Sequence, residues 1–300
     1  MMPISVLPAS AMKAAAARYL ACLRLWEILV LQGPPLLGAA IALRYSAVEP
    51  MGPLVILLLG NLCLVAHIFV LNDWSNLTAD LTDPNKTADV CTARGVSHRE
   101  MGAMASTQLV VSLLLFSRLG PTTLSIALGI AALSALYSLP RFNWKARPLL
   151  NSVAHLTGGV LHFLLGYSLG QVLDRRGLVM ATFFAVTFAA GHLTQEVRDH
   201  HSDVRNGIRT NAVIFGQRRT FAASLALFTL SQALLLFLAL QGTLPRAVAA
   251  LVVLYPIHLR WTLQALAEGL TYASVCRLQA RYRALDAVVG LSLGAAIWLG

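Results

Sequence analysis

Seven of the 13 acidic residues in this 300-residue chain fall in two short segments: Asp73, Asp80, Asp83 and Asp89, then Glu196, Asp199 and Asp203. In the first, LNDWSNLTADLTDPNK, the oxygen-bearing side chains Asp73, Asn76 and Asp80 stand at i, i+3 and i+7. In the second, TQEVRDHHSDVRNGIRT, Glu196, Asp199 and Asp203 repeat that spacing. On a helix it lines three oxygen donors along one face, two turns long. Such a row beside a membrane is costly unless a positive charge offsets it. For either segment alone, salt bridges to nearby arginines are a sufficient account. The matched pair favours a divalent cation. Mg²⁺ takes oxygen ligands and is commonly held by one or two carboxylates plus substrate phosphates, so two facing rows would clamp a diphosphate between them.

Basic and hydrogen-bonding groups stand ready for such an anion. The stretch YSLPRFNWKARP holds Tyr137, Arg141 and Lys145. Lys145 would act as a point charge on phosphate, and the Tyr137 hydroxyl would donate a hydrogen bond. Arg205 and Arg209 follow the second row closely enough to reach phosphate or to neutralise Asp199 and Asp203.

The elements that must position these residues are membrane helices. Hydrophobic residues make up 57% of the chain and charged ones 12%, against roughly 45–50% and about 25% in soluble proteins. Apolar runs of about the length that crosses a bilayer predict an all-α, polytopic bundle of about nine spans in one domain over 1–300. They lie near 22–43, 53–71, 101–117, 121–138, 150–171, 177–195, 219–241, 244–259 and 284–300. A soluble α/β enzyme is excluded because its helices would need a polar face. Residues 1–20 read as a cytoplasmic N-terminal segment, and 260–283 as an interfacial amphipathic helix. With the N-terminus inside, only Arg44, Arg118, Arg175, Arg176 and Arg246 of the 23 Lys and Arg fall on the far side. The positive-inside rule then puts both acidic rows, after spans two and six, at the cytoplasmic face, expected to be that of a bacterial plasma membrane. The net charge of +10 needs no nucleic acid, since topology and anionic lipid account for it. Cys22, Cys63, Cys91 and Cys276 fall singly and suggest neither disulfides nor a thiolate metal site. His67, His155, His162 and His192 lie within spans, where a neutral ring bonded to a backbone carbonyl is the simplest account. His155 and His162, seven apart, share a face and are placed to line a pocket.

These residues resemble the UbiA superfamily of intramembrane prenyltransferases. The pattern N-D-x-x-D-x-x-x-D after the second span reads here as Asn72-Asp73 with Asn76 and Asp80. The Y-S-x-P stretch with a nearby Lys reads as Tyr137-Ser138-Leu139-Pro140 with Lys145. The D-x-x-D-x-x-x-D pattern and its G-x-R-T turn read as Glu196, Asp199 and Asp203 with Gly207-Ile208-Arg209-Thr210. Two positions depart from the pattern: Asn76 and Glu196 each stand where the family usually has Asp. Asn76 removes one negative charge and weakens the first row's hold on Mg²⁺.

The resemblance implies transfer of a prenyl group from a polyprenyl diphosphate to a small, commonly aromatic, acceptor. Asp73, Asn76, Asp80, Glu196, Asp199 and Asp203 would be metal ligands, and Asp73, Asp80, Asp199, Asp203 and Lys145 catalytic. Asn72, Tyr137, Arg141, Lys145, Arg205 and Arg209 would bind substrate. A membrane terpene cyclase and a transporter of an anionic lipid or metabolite are the competing expectations.

Overall fold

The structure, a computed structural model, describes residues 16–44, 51–170 and 173–299. Residues 1–15 of the expected N-terminal segment lie outside it. Among the described residues there is no strand. The helices are α1 (Leu25–Val30), α2 (Gly33–Leu43), α3 (Met51–Leu81), α4 (His98–Phe116), α5 (Pro121–Ser138), α6 (Leu150–Tyr167), α7 (Arg175–Arg205), α8 (Asn211–Phe215), α9 (Gln217–Leu240), α10 (Tyr255–Ala267) and α11 (Tyr272–Leu299).

By length and composition, six stretches among the described residues are apolar enough to cross a membrane: Leu25–Leu43, Met51–Leu81, Pro121–Ser138, Arg175–Arg205, Gln217–Leu240 and Arg246–Ala267. The spans expected at 101–117, 150–171 and 284–300 are helical too, in α4, α6 and α11, but are not among these six. The chain is therefore an all-α, multi-pass membrane protein.

The two acid-bearing helices are long. At 1.5 Å per residue, the 31 residues of α3 and of α7 each extend about 46 Å, beyond a hydrocarbon core of about 30 Å. The spans expected at 53–71 and 177–195 thus continue as helix through their acidic rows. Charge ends an apolar run but not a helix. What ends α3 is the Asp83-Pro84 step, because proline has no N–H to donate. What ends α7 is Gly207, with φ 66°. There Ile208 N donates to Asp203 O at 2.9 Å and Gly207 N to Val204 O at 3.3 Å, a Schellman closure.

Elsewhere the differences have equally local causes. The first span breaks before Gly33-Pro34-Pro35, and the buried side chain of Asn61 on α3 donates to the freed Leu31 carbonyl at 3.3 Å and to Gln32 Oε1 at 2.9 Å. Helix α4 starts at His98, three residues early, because Ser97 and Glu100 form a capping box. The short eighth span gains a 3₁₀ stretch, Arg246–Leu254, followed by α10. The single helix expected at 260–283 is instead divided between α10 and α11, because Gly269 and Leu270 turn the chain with φ 80° and 54°.

Packing is closest between α2 and α6. A Cβ on Gly166 would lie 1.7 Å from Pro35 O, and one on Gly38 2.3 Å from Phe163 O. Only glycine lets these backbones meet, which is how helices associate in lipid without a hydrophobic driving force. Beside them Phe163 stacks on Phe184 of α7 at 4.8 Å, fixing α6 against the helix that carries the second acidic row.

Candidate active site

The two acidic rows converge. Lys86, in the turn after α3, places its Nζ 3.2 Å from Asp199 Oδ2 of α7 and 3.6 Å from Asp80 Oδ1 of α3. One ammonium group thus bridges carboxylates from both motifs. Thr82 Oγ1 donates to Asn206 Oδ1 at 3.0 Å, and Arg205 approaches Asp83 Oδ1 at 3.6 Å. These contacts hold the ends of α3 and α7 side by side. Burial opposes charge on Lys86, but Asp199 and Asp80 outweigh it and hold the ammonium above the ordinary lysine range.

The remaining members of the rows are held by specific partners. Arg24, just before α1, pairs with Asp73. Arg198 grips Asp199 at both oxygens, Nε to Oδ1 at 2.7 Å and Nη2 to Oδ2 at 2.9 Å, the two-pronged geometry suited to guanidinium. Asp203 accepts from Thr210 Oγ1 at 3.2 Å. Asn76 Nδ2 donates to Asn72 Oδ1 at 3.0 Å, which leaves the buried Asn76 Oδ1 without a partner.

Glu196 departs from its row. It is 4% exposed. Oε1 accepts from Asn151 Nδ2 and, at 3.2 Å, from Asn211 Nδ2, while Oε2 accepts from Ala212 N at 3.3 Å. His192 Nε2 stands 3.1 Å from Oε1. The same Asn211 donates to Asn151 Oδ1 at 2.8 Å, and Asn151 Nδ2 lies 3.2 Å from Lys145 O. The carboxylate therefore ties α6, α7, α8 and the Lys145 turn together.

Lys145 lies in a 3₁₀ turn, Trp144–Ala146, that follows α5. Burial pushes its ammonium down to about 8, against the pull of Asp80 and Asp203. Distances place Lys86 against the carboxylates, and Asp80 and Asp203 are the acids whose charge acts on Lys145. Tyr137 is half-buried on α5, its ring perpendicular to that of His155 with centroids 5.1 Å apart. The outer cations are less engaged. Arg141 is exposed over the Phe142 ring at 5.9 Å, Arg205 turns to Asp83 and not to Asp199 or Asp203, and Arg209 is exposed.

Arg24, Lys86, Asn151 and Asn211 escape sequence reasoning because each acts through a partner distant in the chain, and Arg198 because the i, i+3, i+7 spacing says nothing of the residue beside Asp199. The expected histidine bonds to backbone carbonyls are present at His67, to Ala105 O, and at His155, to Asn151 O, both 2.8 Å. His162 instead pairs with Asn61 Oδ1 at 2.9 Å, and His192 faces Glu196.

Among the described residues, no three His, Cys, Asp or Glu side chains converge closely enough to enclose a metal ion. The donor set still suits one. It consists of hard oxygens, its carboxylates already neutralise Arg24, Lys86 and Arg198, and Asn76 Oδ1 is a buried acceptor without a donor. Mg²⁺ needs only one or two such carboxylates when phosphate completes its shell.

A profile of the UbiA prenyltransferase family matches residues 33–271. Among solved structures, a UbiA homolog from Archaeoglobus fulgidus bound to GPP and Mg²⁺ gives a TM-score of 0.72 at 18% identity, covering 94% of this chain and 100% of that one. The homolog bound to DMAPP and Mg²⁺ gives 0.69 at 19% identity, with 93% and 99% covered. A digeranylgeranylglyceryl phosphate synthase in membranes gives 0.69 at 14% identity, with 95% and 99% covered. At such identities the likeness is one of fold. No curated protein matches the chain in sequence.

Proposed function

The chain belongs to the UbiA prenyltransferase family, and from that premise we propose that it is a Mg²⁺-dependent enzyme that transfers a prenyl group from a polyprenyl diphosphate to a small, aromatic acceptor, at the cytoplasmic face of a bacterial-type plasma membrane. The observation that carries this reading is the bridge of Lys86 between Asp80 and Asp199, residues of two motifs that the chain separates by more than a hundred positions. Two acidic rows that share one cation present a mouth of the right charge for a metal diphosphate.

Asp73, Asn76, Asp80, Asp199 and Asp203 are the ligands we assign. Glu196, whose oxygens are taken by Asn151, Asn211 and Ala212, holds the scaffold instead. Bound Mg²⁺ would supply positive charge to the departing diphosphate. The chain's own groups do the rest. Lys145 places an ammonium beside Asp80 and Asp203, where charge develops on the leaving oxygen as the allylic C–O bond breaks. We assign Asn72, Tyr137 and Arg141 to binding of the diphosphate at this mouth, with Arg205 and Arg209 as its outer cations. The prenyl tail is apolar and belongs among the helices that continue beneath the rows.

The test is to incubate purified protein with a panel of prenyl diphosphates, Mg²⁺ and a membrane extract, and to identify the products by mass spectrometry. A prenylated acceptor and released diphosphate, both lost in EDTA and restored by Mg²⁺, are expected. Cyclic hydrocarbon formed without acceptor makes the protein a cyclase, flux across vesicles without diphosphate release makes it a transporter, and activity that persists in EDTA removes the metal.

A further inference from the structure

We propose that His155 is the base of this site: its Nε2 takes the proton that is lost after the prenyl cation forms. The inference rests on the prenyl-transfer reading above and adds a catalytic residue to it.

The tautomer is fixed by the backbone. His155 Nδ1 lies 2.8 Å from Asn151 O. A carbonyl oxygen only accepts, so Nδ1 carries the hydrogen, and in a neutral imidazole Nε2 is then a bare lone pair. The ring is also held in place. It stacks on His192 of α7 with centroids 3.6 Å apart and planes 9° from parallel, and the Tyr137 ring of α5 lies across it at 83°, centroids 5.1 Å apart. Three helices thus fix the direction of one unprotonated nitrogen.

The helices packed against it carry buried polar atoms without partners. Ser134 Oγ and Ser138 Oγ, one turn apart on the helix that carries Tyr137, are buried and without a partner. His192 is 4% exposed; its Nε2 comes within 3.1 Å of Glu196 Oε1 but off the line of a hydrogen bond, and so is unpartnered as well. Three buried polar atoms left unpaired on the two helices whose Tyr137 and His192 meet this ring call for a reason. A bound molecule with polar groups supplies one.

Depth sets the order of events. His192 precedes Asp199 by seven residues on α7, about 10 Å at the helical rise, and lies on the membrane-inward side of it. The stacked ring of His155 shares that depth. Diphosphate at the acidic rows puts the allylic carbon below it, and the imidazole pair next in line. The allylic C–O bond breaks with both electrons leaving on the diphosphate oxygen. A π or lone pair of the nucleophile then bonds to the cation. Finally, a C–H or O–H bond of that nucleophile returns its electron pair to the nucleophile and its proton to His155 Nε2. The resulting imidazolium gives the proton to solvent when product leaves. Without a nucleophile, the carbon next to the cation loses the proton by the same route and a diene forms.

The test uses geranyl diphosphate labelled with ¹⁸O at the bridging oxygen, with Mg²⁺ and no acceptor. Scrambling of the label into non-bridging positions reads ionisation, and the ratio of diene to alcohol reads the fate of the cation. His155→Asn keeps an amide donor for the Asn151 carbonyl but has no Nε2. Scrambling is expected to persist within about twofold while the diene-to-alcohol ratio falls about 100-fold, the scale of general-base catalysis. His155→Gln serves with the same expectation if the Asn variant does not accumulate folded. An unchanged ratio overturns the proposal. So does loss of scrambling together with product, since His155 would then support the site and not take the proton. Absence of scrambling in the wild-type enzyme defeats the prenyl-transfer reading itself, and the assignment of His155 falls with it.

Discussion

Lys145 offers the sharpest perturbation of the site. Its ammonium feels the charges of Asp80 and Asp203 from a half-buried turn, and burial brings its pKa down to about 8. About nine-tenths of the unliganded enzyme therefore carries the proton at pH 7, and about one-tenth at pH 9. If the protonated form is what receives the diphosphate, kcat/KM, which follows the free enzyme, falls by up to about tenfold between those values. Removing the group altogether, as in Lys145→Met, forfeits a hydrogen bond to a charged partner, about 1.5–3 kcal/mol. At 1.36 kcal/mol per decade that is roughly 10- to 150-fold in kcat/KM at pH 7.

The assay is diphosphate release in detergent micelles from pH 6.5 to 9.5. Wild type should show an alkaline limb near pH 8 that Lys145→Met lacks. Lys145→Arg, charged throughout the range, should show no such limb in whatever activity it retains. Unfolding does not mimic the effect. A lysine whose folded pKa lies below its ordinary value binds fewer protons folded than unfolded, so its contribution to stability rises with pH between about 8 and the ordinary lysine value. Activity falls in that window as this term of stability rises. A flat wild-type profile, or a limb that survives in Lys145→Met, would refute the role.

Two further perturbations separate ligand from scaffold. Glu196→Ala strands Ala212 N and one of the two amide hydrogens of Asn151, which keeps Lys145 O, while Asn211 Nδ2 retains Asn151 Oδ1 and Ser152 Oγ; the cost is on the order of 1–3 kcal/mol for each buried donor left unmet. It should lower the melting temperature in micelles, whereas Asp199→Ala should abolish turnover and leave the folded protein inserted; equal thermal behaviour in the two variants contradicts the division. Gly166→Ala would press a methyl group to within 1.7 Å of Pro35 O and should destabilise by at least the roughly 1–3 kcal/mol of overpacking. Gly158→Ala meets only Leu133 Cδ2, at 3.7 Å, and should be neutral in the same thermal assay.

What the sequence discloses and what it withholds divide along physical lines. Hydropathy locates α5 to the residue, because Pro121 opens it at the first turn and Leu139-Pro140 closes it. It cuts α3 and α7 short, because it senses where lipid ends and not where hydrogen bonding ends. The i, i+3, i+7 spacing puts Glu196, Asp199 and Asp203 on one face of α7, but spacing fixes azimuth and not depth. Glu196 lies one turn further into the bundle, at the level of Asn151 and Asn211, and is consumed by them. Nothing in its own segment signals two asparagines 45 residues before it and 15 after. Lys86 is invisible for a related reason: it stands in a turn beyond the first row, and only folding brings it 3.2 Å from Asp199.

The distribution of charge between helix and connection has a chemical consequence. Asp73, Asp80, Asp199 and Asp203 all stand on two continuous helices, whose backbone hydrogen bonds fix the separation of their oxygens. Arg24 and Lys86, which neutralise three of the four with Arg198, stand on connecting segments and reach inward on long side chains. Long cationic side chains give up much rotamer entropy when they are pinned, so a metal diphosphate that takes over their carboxylates recovers part of that entropy as it binds. Acids on rigid elements, with two of their three cations on loops and only Arg198 on a helix, are thus an arrangement in which the fold holds the ligand geometry constant and exchanges mainly the counter-charge.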